Sequence, residues 1–239
     1  MIPRLSYLPA YIQGVISHFK HAIPSIHLGN PLKPNQVWFD HEGIPLKWHY
    51  PVGVLFDLFF TESNQQKPRC PWKLGVHFHS FPNRTVLPLE NEKSIESHFM
   101  QSLKQSTFAR LGSSKLIMRM SEAQQRQMWQ SVVQRSGAKF NEAIKELYDT
   151  NTADSPIPVR LLFGNAPFVQ LRVLPEEHGT LQKLLCWAWN GSSTDAGNVD
   201  NVMIHGVLVP TSLAVALVYR YFAYPDGFLY IVVGRLQEE

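Results

Sequence analysis

The sequence predicts an α+β fold in which two ubiquitin-like (β-grasp) domains flank a helical block, the first domain lacking its opening β-hairpin. The last third of the chain orders its patterns as strand, strand, helix, strand, helix, strand, the order of a sheet crossed by a helix. The first third repeats that order without its first two strands. Between them, helical periodicity dominates. The expected domains are residues 1–91, 92–150 and 157–239.

Composition is that of an ordinary globular protein and excludes several functional classes. Of the 239 residues, 44% are hydrophobic and 17% are charged, which is far from the disordered class. A formal net charge of +3 is too small to indicate nucleic acid as the main partner. No signal-peptide pattern is recognised, and no apolar tract reaches the roughly 20 residues that span a bilayer, so we expect membrane contact to be peripheral.

The two cysteines indicate a reducing compartment. Cys70 and Cys186 lie far apart and form no Cys-x-x-Cys motif, so each is predicted to be a small buried apolar residue and not a nucleophile. A secreted disulfide scaffold is therefore not expected, and the pattern favours an intracellular protein.

The first third begins with a predicted helix and continues into short strands. Ser6–Lys20 has apolar residues at helical spacing, with Pro9 in the first turn. Strands are predicted at Val37–Phe39, Leu46–Trp48 and Trp72–Phe81, the first two joined by a turn at residues 41–43.

A helix is predicted to open at Pro51, because the first helical position tolerates a missing N–H group. Its apolar stripe comprises Val54, Leu55, Leu58 and Phe59.

The central block is predicted to be helical. Ile95, Phe99 and Leu103 indicate a helix from about Glu92 to Leu111. Lys104 lies roughly 115° from the centre of that stripe, so its stem can rest on protein while its amine reaches water.

Two further helices are predicted in this block. Ser121 and Gln124 form a capping box for a helix that Gly137 breaks. The next helix buries an apolar stripe, and residues 149–156 form a linker. The buried residues expected in these two helices are Met128, Trp129, Val132 and Val133, then Phe140, Ile144, Leu147 and Tyr148.

The last third opens with a predicted hairpin, Val159–Phe163 and Phe168–Leu174, turning at residues 164–165. Thr180 is expected to cap a helix that buries Leu181, Leu184 and Leu185. Beyond a polar insert at residues 190–201, the remaining expected elements are a strand at Val202–Val209, a helix capped by Ser212 and ending at Phe222, a turn at residues 225–227 and a strand at Phe228–Val233.

No enzyme motif is recognised: the chain has no Gly-rich phosphate loop, no Gly-x-Ser-x-Gly and no His-Glu-x-x-His. His77 and His79 share one face of a predicted strand and could supply two metal ligands, but a site needs a third, and none is evident. His18 and His21 lie at a helix end, where histidine is favourable for dipole reasons. We therefore expect neither a catalytic residue, nor a cofactor, nor a metal.

The stretch from Trp38 to Leu58, WFDHEGIPLKWHYPVGVLFDL, closely resembles the signature of the autophagy protein five family, a WF-acidic-x-x-G-x-PLKW-x-x-P-x-G-LLFDL-like block. The resemblance is strongest over residues 35–60 and 92–107. It implies two strands upstream of the segment RLSYLP, so we expect this chain to be N-terminally truncated, as an alternative product or an incomplete gene model.

The resemblance also implies a function. Members of that family carry an acceptor lysine shortly after a His-Phe pair. The segment of this chain that resembles it contains His98-Phe99, followed by Lys104-Gln105. Many relatives have Glu where this chain has Gln105. By resemblance, Lys104 receives the C-terminal glycine of the ubiquitin-like autophagy protein twelve through an isopeptide bond. E2-like conjugating enzymes supply the activated glycine, so the chain is a substrate and not an enzyme.

Further partners are implied in the same way. A helix of autophagy protein sixteen would occupy a groove of the protein. The complex would act like an E3 ligase in the lipidation of autophagy protein eight, in the cytoplasm and peripherally on preautophagosomal membranes. Two other interpretations stay open at this point. One is a ubiquitin-like adaptor without covalent conjugation, including a non-functional truncated isoform, and the other is a small metal-dependent enzyme using His77 and His79.

Overall fold

The computed structural model describes residues 2–22, 33–62, 71–91, 93–149, 155–164, 166–189 and 201–234. The chain divides into two compact units. The first is Met1–Leu55 with Lys67–His98, and the second is Phe56–Gln66 with Phe99–Glu239.

The first unit begins with a helix that is shorter than the predicted Ser6–Lys20. A 3-10 turn at Leu8–Tyr11 leads into helix α1, Ile12–Phe19. Leu8 and Ile12 are buried, whereas Phe19, at the far end of the same stripe, is exposed. The helix therefore buries its first half more fully than its second.

The described residues of this unit also form a three-stranded antiparallel sheet. It contains β1 (Trp38–His41), β2 (Ile44–Pro45) and β3 (Gly75–His77) in the order β2-β1-β3. A two-residue turn joins β1 to β2, with Glu42 at φ 51° and Gly43 at φ 82°. Positive φ at both central residues matches the twist of the flanking strands, and it favours glycine.

Two strand predictions in this unit are wrong in extent. The predicted strand Leu46–Trp48 lies instead at β2, because the tight turn places Ile44 directly opposite His41 and pairing begins at once. A turn then follows, in which Tyr50 N–H donates to the Lys47 carbonyl at 3.0 Å. The predicted strand Trp72–Phe81 shrinks to β3, since its partner β1 has only four residues.

Helix α2, Val52–Glu62, confirms the prediction at Pro51, whose carbonyl accepts the N–H groups of Val54 and Leu55 at 3.0 and 3.1 Å. The first N–H groups of a helix have no partner within it. Here Val52 N–H donates to the Ser6 carbonyl and Gly53 N–H donates to the Arg4 carbonyl, both at 2.8 Å.

Over residues 93–149, which the structure describes, the helical block forms four helices: α3 (Lys93–Leu111), α4 (Lys115–Arg119), α5 (Glu122–Val133) and α6 (Gly137–Asp149). The capping box is confirmed, since Ser121 Oγ accepts from Gln124 N–H at 3.2 Å and Gln124 Oε1 accepts from Ser121 N–H at 2.8 Å.

Two predictions in this block are wrong, and one helix has no counterpart in the prediction. Helix α4 was not predicted, because five residues are too few to show a period. Gly137 begins α6 and does not end α5, whose end comes where Arg135 takes a positive φ of 59°. Val133 is 48% exposed, although Met128 is buried as expected. The side chains of Leu147 and Tyr148 lie outside the described residues.

The last part of the chain is a mixed five-stranded sheet crossed by helices. Its strand order is β5-β4-β8-β6-β7, with β4 and β8 parallel and the other pairs antiparallel. The elements are β4 (Ile157–Leu162), β5 (Val169–Val173), α7 (Leu181–Ala188), β6 (Asn201–Ile204), β7 (Val207–Leu208), α8 (Val215–Phe222) and β8 (Leu229–Gly234).

One face of this sheet forms the hydrophobic core with α7 and α8. The predicted cap is confirmed, as Thr180 Oγ1 accepts from Lys183 N–H at 3.3 Å. The core residues alternate along the strands, as the two-residue period requires. The strands contribute Ile157, Val159, Leu161, Leu229, Ile231 and Val233, and the helices contribute Leu181, Leu184, Leu185, Val215 and Val218.

Two predictions in this part are wrong. The strand Val202–Val209 is a hairpin, because His205 and Gly206 turn the chain with φ values of 52° and 78°. Ser212 does not cap α8: Ala214 precedes the helix without a side-chain bond, and Val215 N–H donates to the Gly179 carbonyl at 3.1 Å. The polar insert at residues 190–200 and Asn165 of the predicted turn lie outside the described residues.

The two units repeat one arrangement, which confirms the predicted fold class. In the series β1-β2, α2, β3 and in the series β6-β7, α8, β8, the hairpin has two positive-φ residues, the second a glycine, and the last strand is antiparallel to the first strand of the hairpin. The two helices also begin in the same way. Val52 N–H at the start of α2 donates to the Ser6 carbonyl, and Val215 N–H at the start of α8 donates to the Gly179 carbonyl. Among the described residues of the first unit, no strand pairs with β3 in the way that β4 pairs with β8.

Replacing Glu42 with glycine is expected to stabilise the first unit by about 0.5 to 1 kcal/mol. Glu42 is exposed and holds a left-handed conformation that costs a side chain about 1 kcal/mol but costs glycine little. Denaturant unfolding measures the change. Glu42→Ala is the matched control, because it keeps the strained conformation and should give no gain. An equal gain in both variants would show that the backbone strain is not the cause.

Candidate functional site

Lys104 lies on α3, a helix that is buried along the stripe that the sequence predicts. Ile95, Phe99 and Leu103 are each at most 5% exposed. Lys104 itself is half-buried, and Gln101 and Phe108, at helical spacings of three and four residues from it, are exposed. The lysine therefore belongs to the solvent side of the helix.

A second buried face of α3 was not predicted, because its residues are polar. Ser102, Ser106, Thr107 and Arg110 are all buried. Ser106 Oγ donates to the Asp226 carbonyl at 2.6 Å, in the turn before β8. The Ala109 carbonyl accepts from Arg172 Nε on β5 at 2.8 Å. These bonds hold α3 on the C-terminal sheet.

The centre of this contact is Arg160 on β4, whose side chain is 4% exposed. Its Nη1 donates to Tyr230 Oη at 2.7 Å and to Ser102 Oγ at 3.3 Å, and its Nη2 donates to Gln105 Oε1 at 3.0 Å. We call Arg160, Asp226, Tyr230, Ser102 and Gln105 the Arg160 cluster.

Aromatic rings and a second acceptor complete the surroundings of the guanidinium. Arg160 Nε donates to Gln170 Oε1 at 3.2 Å. The guanidinium carbon lies 3.8 Å from the ring centre of Phe228 and 4.8 Å from that of Phe168. Arginine stacks well on aromatic faces and is less strongly hydrated than lysine, which makes this buried position tolerable.

Asp226 supplies the opposite charge. One carboxylate oxygen accepts from Tyr230 Oη at 2.7 Å and lies 3.8 Å from Arg160 Nη1, and the other accepts from Phe228 N–H at 3.2 Å. Burial raises the pKa of the Asp226 carboxyl, and the charge of Arg160 and the hydrogen bond from Tyr230 offset part of that rise.

The sequence itself contains a signal for this cluster. Arg160 is the charged residue in IPVRLL, the run that forms the fully buried strand β4. A charge inside such a run requires a partner, because an unpaired buried charge is very costly. The identity of the partners could not be predicted, since Ser102 and Tyr230 lie 58 and 70 residues away.

The amine of Lys104 is not engaged by the described part of the protein. No hydrogen bond or ion pair joins it to another described residue, and its neighbour Gln105 directs its side chain to Arg160. An amine that reacts with another protein must be accessible and uncommitted. Lys104 is half-buried, and within the described residues it has no hydrogen-bond or ion-pair partner.

His77 and His79, the two histidines weighed as metal ligands, do not lie on one strand. Strand β3 ends at His77, and His79 lies beyond it. His77 Nε2 is 2.7 Å from Asp40 Oδ1, and its ring stacks on Trp38 at 3.9 Å. The described residues contain no group of three or more His, Cys, Asp and Glu side chains arranged to hold a metal ion.

The remaining histidines and cysteines of the sequence analysis lie outside the Arg160 cluster. His18 and His21 are exposed near the end of α1. Cys186 on α7 is half-buried and has a free thiol, and Cys70 lies outside the described residues. None of the helices in the described ranges combines the length and the apolar composition that a bilayer crossing needs.

Three segments of the chain match models of one protein family. Residues 1–78 match "Autophagy protein ATG5, UblA domain", residues 92–150 match its "alpha-helical bundle region", and residues 156–233 match its "UblB domain". A relative named "Autophagy protein 5" from Phaeosphaeria nodorum is 30% identical over 97% of this chain and 85% of its own length. The chain belongs to the autophagy protein five family.

Other family members agree with this chain along most of its length. "Autophagy protein 5" of Drosophila melanogaster is 29% identical over 98% of this chain and 84% of its own length. A solved structure, "Crystal structure of Kluyveromyces marxianus Atg5", superimposes with a TM-score of 0.78 at 28% identity, covering 96% of this chain and 84% of that one. The domain boundaries at residues 91, 150 and 157 stay predictions.

In this autophagy protein five family member, Gly227→Ala is expected to destabilise the second unit by about 2 to 4 kcal/mol. Gly227 has φ +80°, and an added Cβ would lie 2.5 Å from Ser106 Oγ, so backbone strain and overpacking add up. Gly112→Ala is the control, with φ +68° but open space, and should lose about 1 kcal/mol from strain alone. Equal losses in denaturant unfolding would contradict the contact with α3.

The stability of the first unit is expected to fall in acid through Asp40. Burial raises the pKa of its carboxyl, but the hydrogen bonds from His77 and Gly43 N–H and the nearby histidine charges outweigh burial, so the pKa lies below its usual value. Asp40 therefore stabilises the fold fully above the unfolded-state pKa of about 3.9, and this contribution is lost as pH falls from there through the lower pKa of the folded state.

Unfolding of Asp40→Asn across pH 2–7 measures this effect. We expect the variant to lose about 1 kcal/mol at neutral pH, with the difference from the unaltered protein shrinking below about pH 4. Glu90→Gln, which changes an exposed carboxylate of the same unit, is the control. A difference that does not depend on pH would rule out the ionised form as the stabilising one.

Proposed function

We propose that this protein is a conjugation acceptor in autophagy, with Lys104 as the acceptor amine for the C-terminal glycine of autophagy protein twelve. Three observations support this. The chain belongs to the autophagy protein five family, and the segment His98-Phe99 to Lys104 is similar to the acceptor segment of that family. Lys104 also lies on the solvent side of α3 with no described partner. The similarity of this segment carries the proposal, because Lys93 and Lys115 are also exposed but do not lie in such a segment.

The proposed reaction transfers an acyl group from sulfur to nitrogen. The ammonium of Lys104 loses a proton to a base on the E2-like conjugating enzyme, since only the neutral amine is nucleophilic. Nζ attacks the thioester carbonyl of the modifier's glycine, an N–C bond forms and the C–S bond breaks. The enzyme's cysteine leaves as a thiolate, so the chain contributes the amine and its placement, and no catalytic group.

The proposed partners follow from family membership. Autophagy protein sixteen would bind non-covalently through a helix, and the assembly would act like an E3 ligase in the lipidation of autophagy protein eight. Such a protein would work in the cytoplasm and associate peripherally with preautophagosomal membranes, and it would need no cofactor and no nucleic acid.

Lys104→Arg is expected to lower the rate of conjugation at least 100-fold, because arginine keeps the charge but offers no nucleophilic amine. The assay combines the chain with ATP, the activating enzyme, the E2-like enzyme and autophagy protein twelve. The readout is a product whose intact mass equals the sum of both proteins less one water, with the isopeptide bond located by tandem mass spectrometry.

Lys93→Arg and Lys115→Arg are the matched controls, since both lysines are exposed and lie on α3 and on the neighbouring helix α4. Both variants should conjugate at the unaltered rate. Conjugation that survives Lys104→Arg would refute the assignment of this lysine. A chain that binds autophagy protein twelve or sixteen but never forms the covalent product would support the adaptor interpretation.

A further inference from the structure

The Arg160 cluster is an unusual way to attach a helix to a sheet. A buried ion pair loses hydration that its mutual attraction restores only with good geometry, and well-packed apolar residues often stabilise a fold equally well. Arg160 and Asp226 are nonetheless 4% and 1% exposed. Stability alone therefore does not account for the choice of residues, whereas a requirement for one fixed arrangement does.

The cluster lies on the side of the sheet away from α7 and α8. Val159 and Leu161 of β4 and Ile231 of β8 point into the hydrophobic core, so Arg160 and Tyr230, which alternate with them, point to the other face. Arg160 is the direct register partner of Tyr230 on one side and of Gln170 on the other. One row across three strands thus presents a fixed guanidinium.

That guanidinium bonds α3 at one position before Lys104 in the sequence and at one position after it. It donates to Ser102 Oγ and to Gln105 Oε1, and the two donors belong to one rigid planar group. Two bonds from one plane to positions three residues apart restrict rotation of the helix about its axis. Ser106 and Ala109, each bonded to the sheet region, lie on the same side of the helix.

Helical geometry converts this attachment into a direction for Lys104. At about 100° per residue, the positions 102, 105, 106 and 109 cluster on one side of α3, and position 104 lies about 150° away from their centre. Fixing that side of the helix therefore fixes the direction in which the lysine leaves the protein. A rotation of the helix would move the amine sideways by several ångströms, because the lysine side chain is long.

We propose that Arg160 is a positioning residue for conjugation, which through Ser102, Gln105, Tyr230 and Asp226 fixes the rotation of α3 and so presents the Lys104 amine to the incoming thioester. This inference rests on the proposed function of Lys104. Arg160 touches neither the modifier nor the reacting atoms. Its contribution is orientation, and misplacement of a reacting group by about 1 Å can reduce a rate 100-fold.

The test compares variants of the full chain that weaken the cluster to different degrees. Tyr230→Phe removes one hydroxyl, and Arg160→Lys keeps the charge without the planar fork. Arg160→Met removes the cation but leaves Asp226 unpaired, so the double variant Arg160→Met with Asp226→Asn removes both charges and guards against unfolding. Arg220→Met is the control, since Arg220 is exposed on α8 and beside Tyr221.

The rate is measured in a single turnover from the E2-like enzyme already charged with autophagy protein twelve, at increasing concentrations of each chain. The folded fraction at the assay temperature is measured by circular dichroism. A small acylating reagent, N-hydroxysuccinimidyl acetate, reports in parallel how accessible the Lys104 amine is to a partner that does not need orientation.

We expect Arg160→Met and the double variant to lower the maximal transfer rate about 10- to 100-fold, with little change in half-saturating concentration and in acetylation of Lys104. Arg160→Lys and Tyr230→Phe should fall between these and the unaltered chain, and Arg220→Met should match the unaltered chain. Folded cluster variants that transfer at the unaltered rate would overturn the inference and leave the proposed function intact.

A rate that falls only in proportion to the folded fraction would also overturn the inference, because the role would then be structural. If the unaltered chain forms no Lys104-dependent product, the proposed function fails, and the positioning role fails with it. The two failures are therefore distinguished by the behaviour of the unaltered chain.

Discussion

The buried guanidinium of Arg160 links the central strands of the second unit to helix α3. The guanidinium of Arg160 can stay charged away from water only if its donors find acceptors, and these come from β5, β8 and α3. Gln170, Arg160 and Tyr230 form one row only when β4 lies between β5 and β8. The strand order of the sheet and the attachment of α3 to its outer face therefore depend on the same interaction. Asp226 closes the network through the hydroxyl of Tyr230, so loss of that hydroxyl removes one hydrogen bond from the buried guanidinium and one from the buried carboxylate.

The two units achieve their folds by the same local devices, although their contents differ. In each, a hairpin turns over two positive-φ residues, and a carbonyl from the segment before the first helix accepts an N–H group at the start of the second. The family signature is largely a set of such backbone requirements. Gly53 leaves no room for a Cβ beside Arg4, and the indole of Trp48 donates to the Leu87 carbonyl at 2.7 Å. The residues that identify the family are thus residues that build the first unit. The proposed acceptor Lys104 belongs to another helix and has no such structural role.

The predictions from sequence succeeded where a local pattern has one physical solution. The capping box at Ser121, the cap at Thr180 and the helix opening at Pro51 each satisfy N–H or carbonyl groups within a few residues. They failed where an apolar run hides a turn. Residues 202–209 are almost continuously apolar, yet His205 and Gly206 turn the chain, because one histidine and one glycine are a weak signal. At the candidate site, the solvent side of α3 was predictable from its period, but its polar buried side was not.

By itself, the sequence determined the α+β fold class, most of the elements and the family, because these depend on periodicity, caps and a signature read along the chain. It also determined that Lys104 lies at the edge of an apolar helix face. Only the tertiary structure decided what the other side of that helix contacts. The partners of Arg160 lie tens of residues away in sequence, and a hydrogen bond between distant residues leaves no periodic trace. The direction of the lysine follows from those distant contacts, which exist only once the sheet has formed.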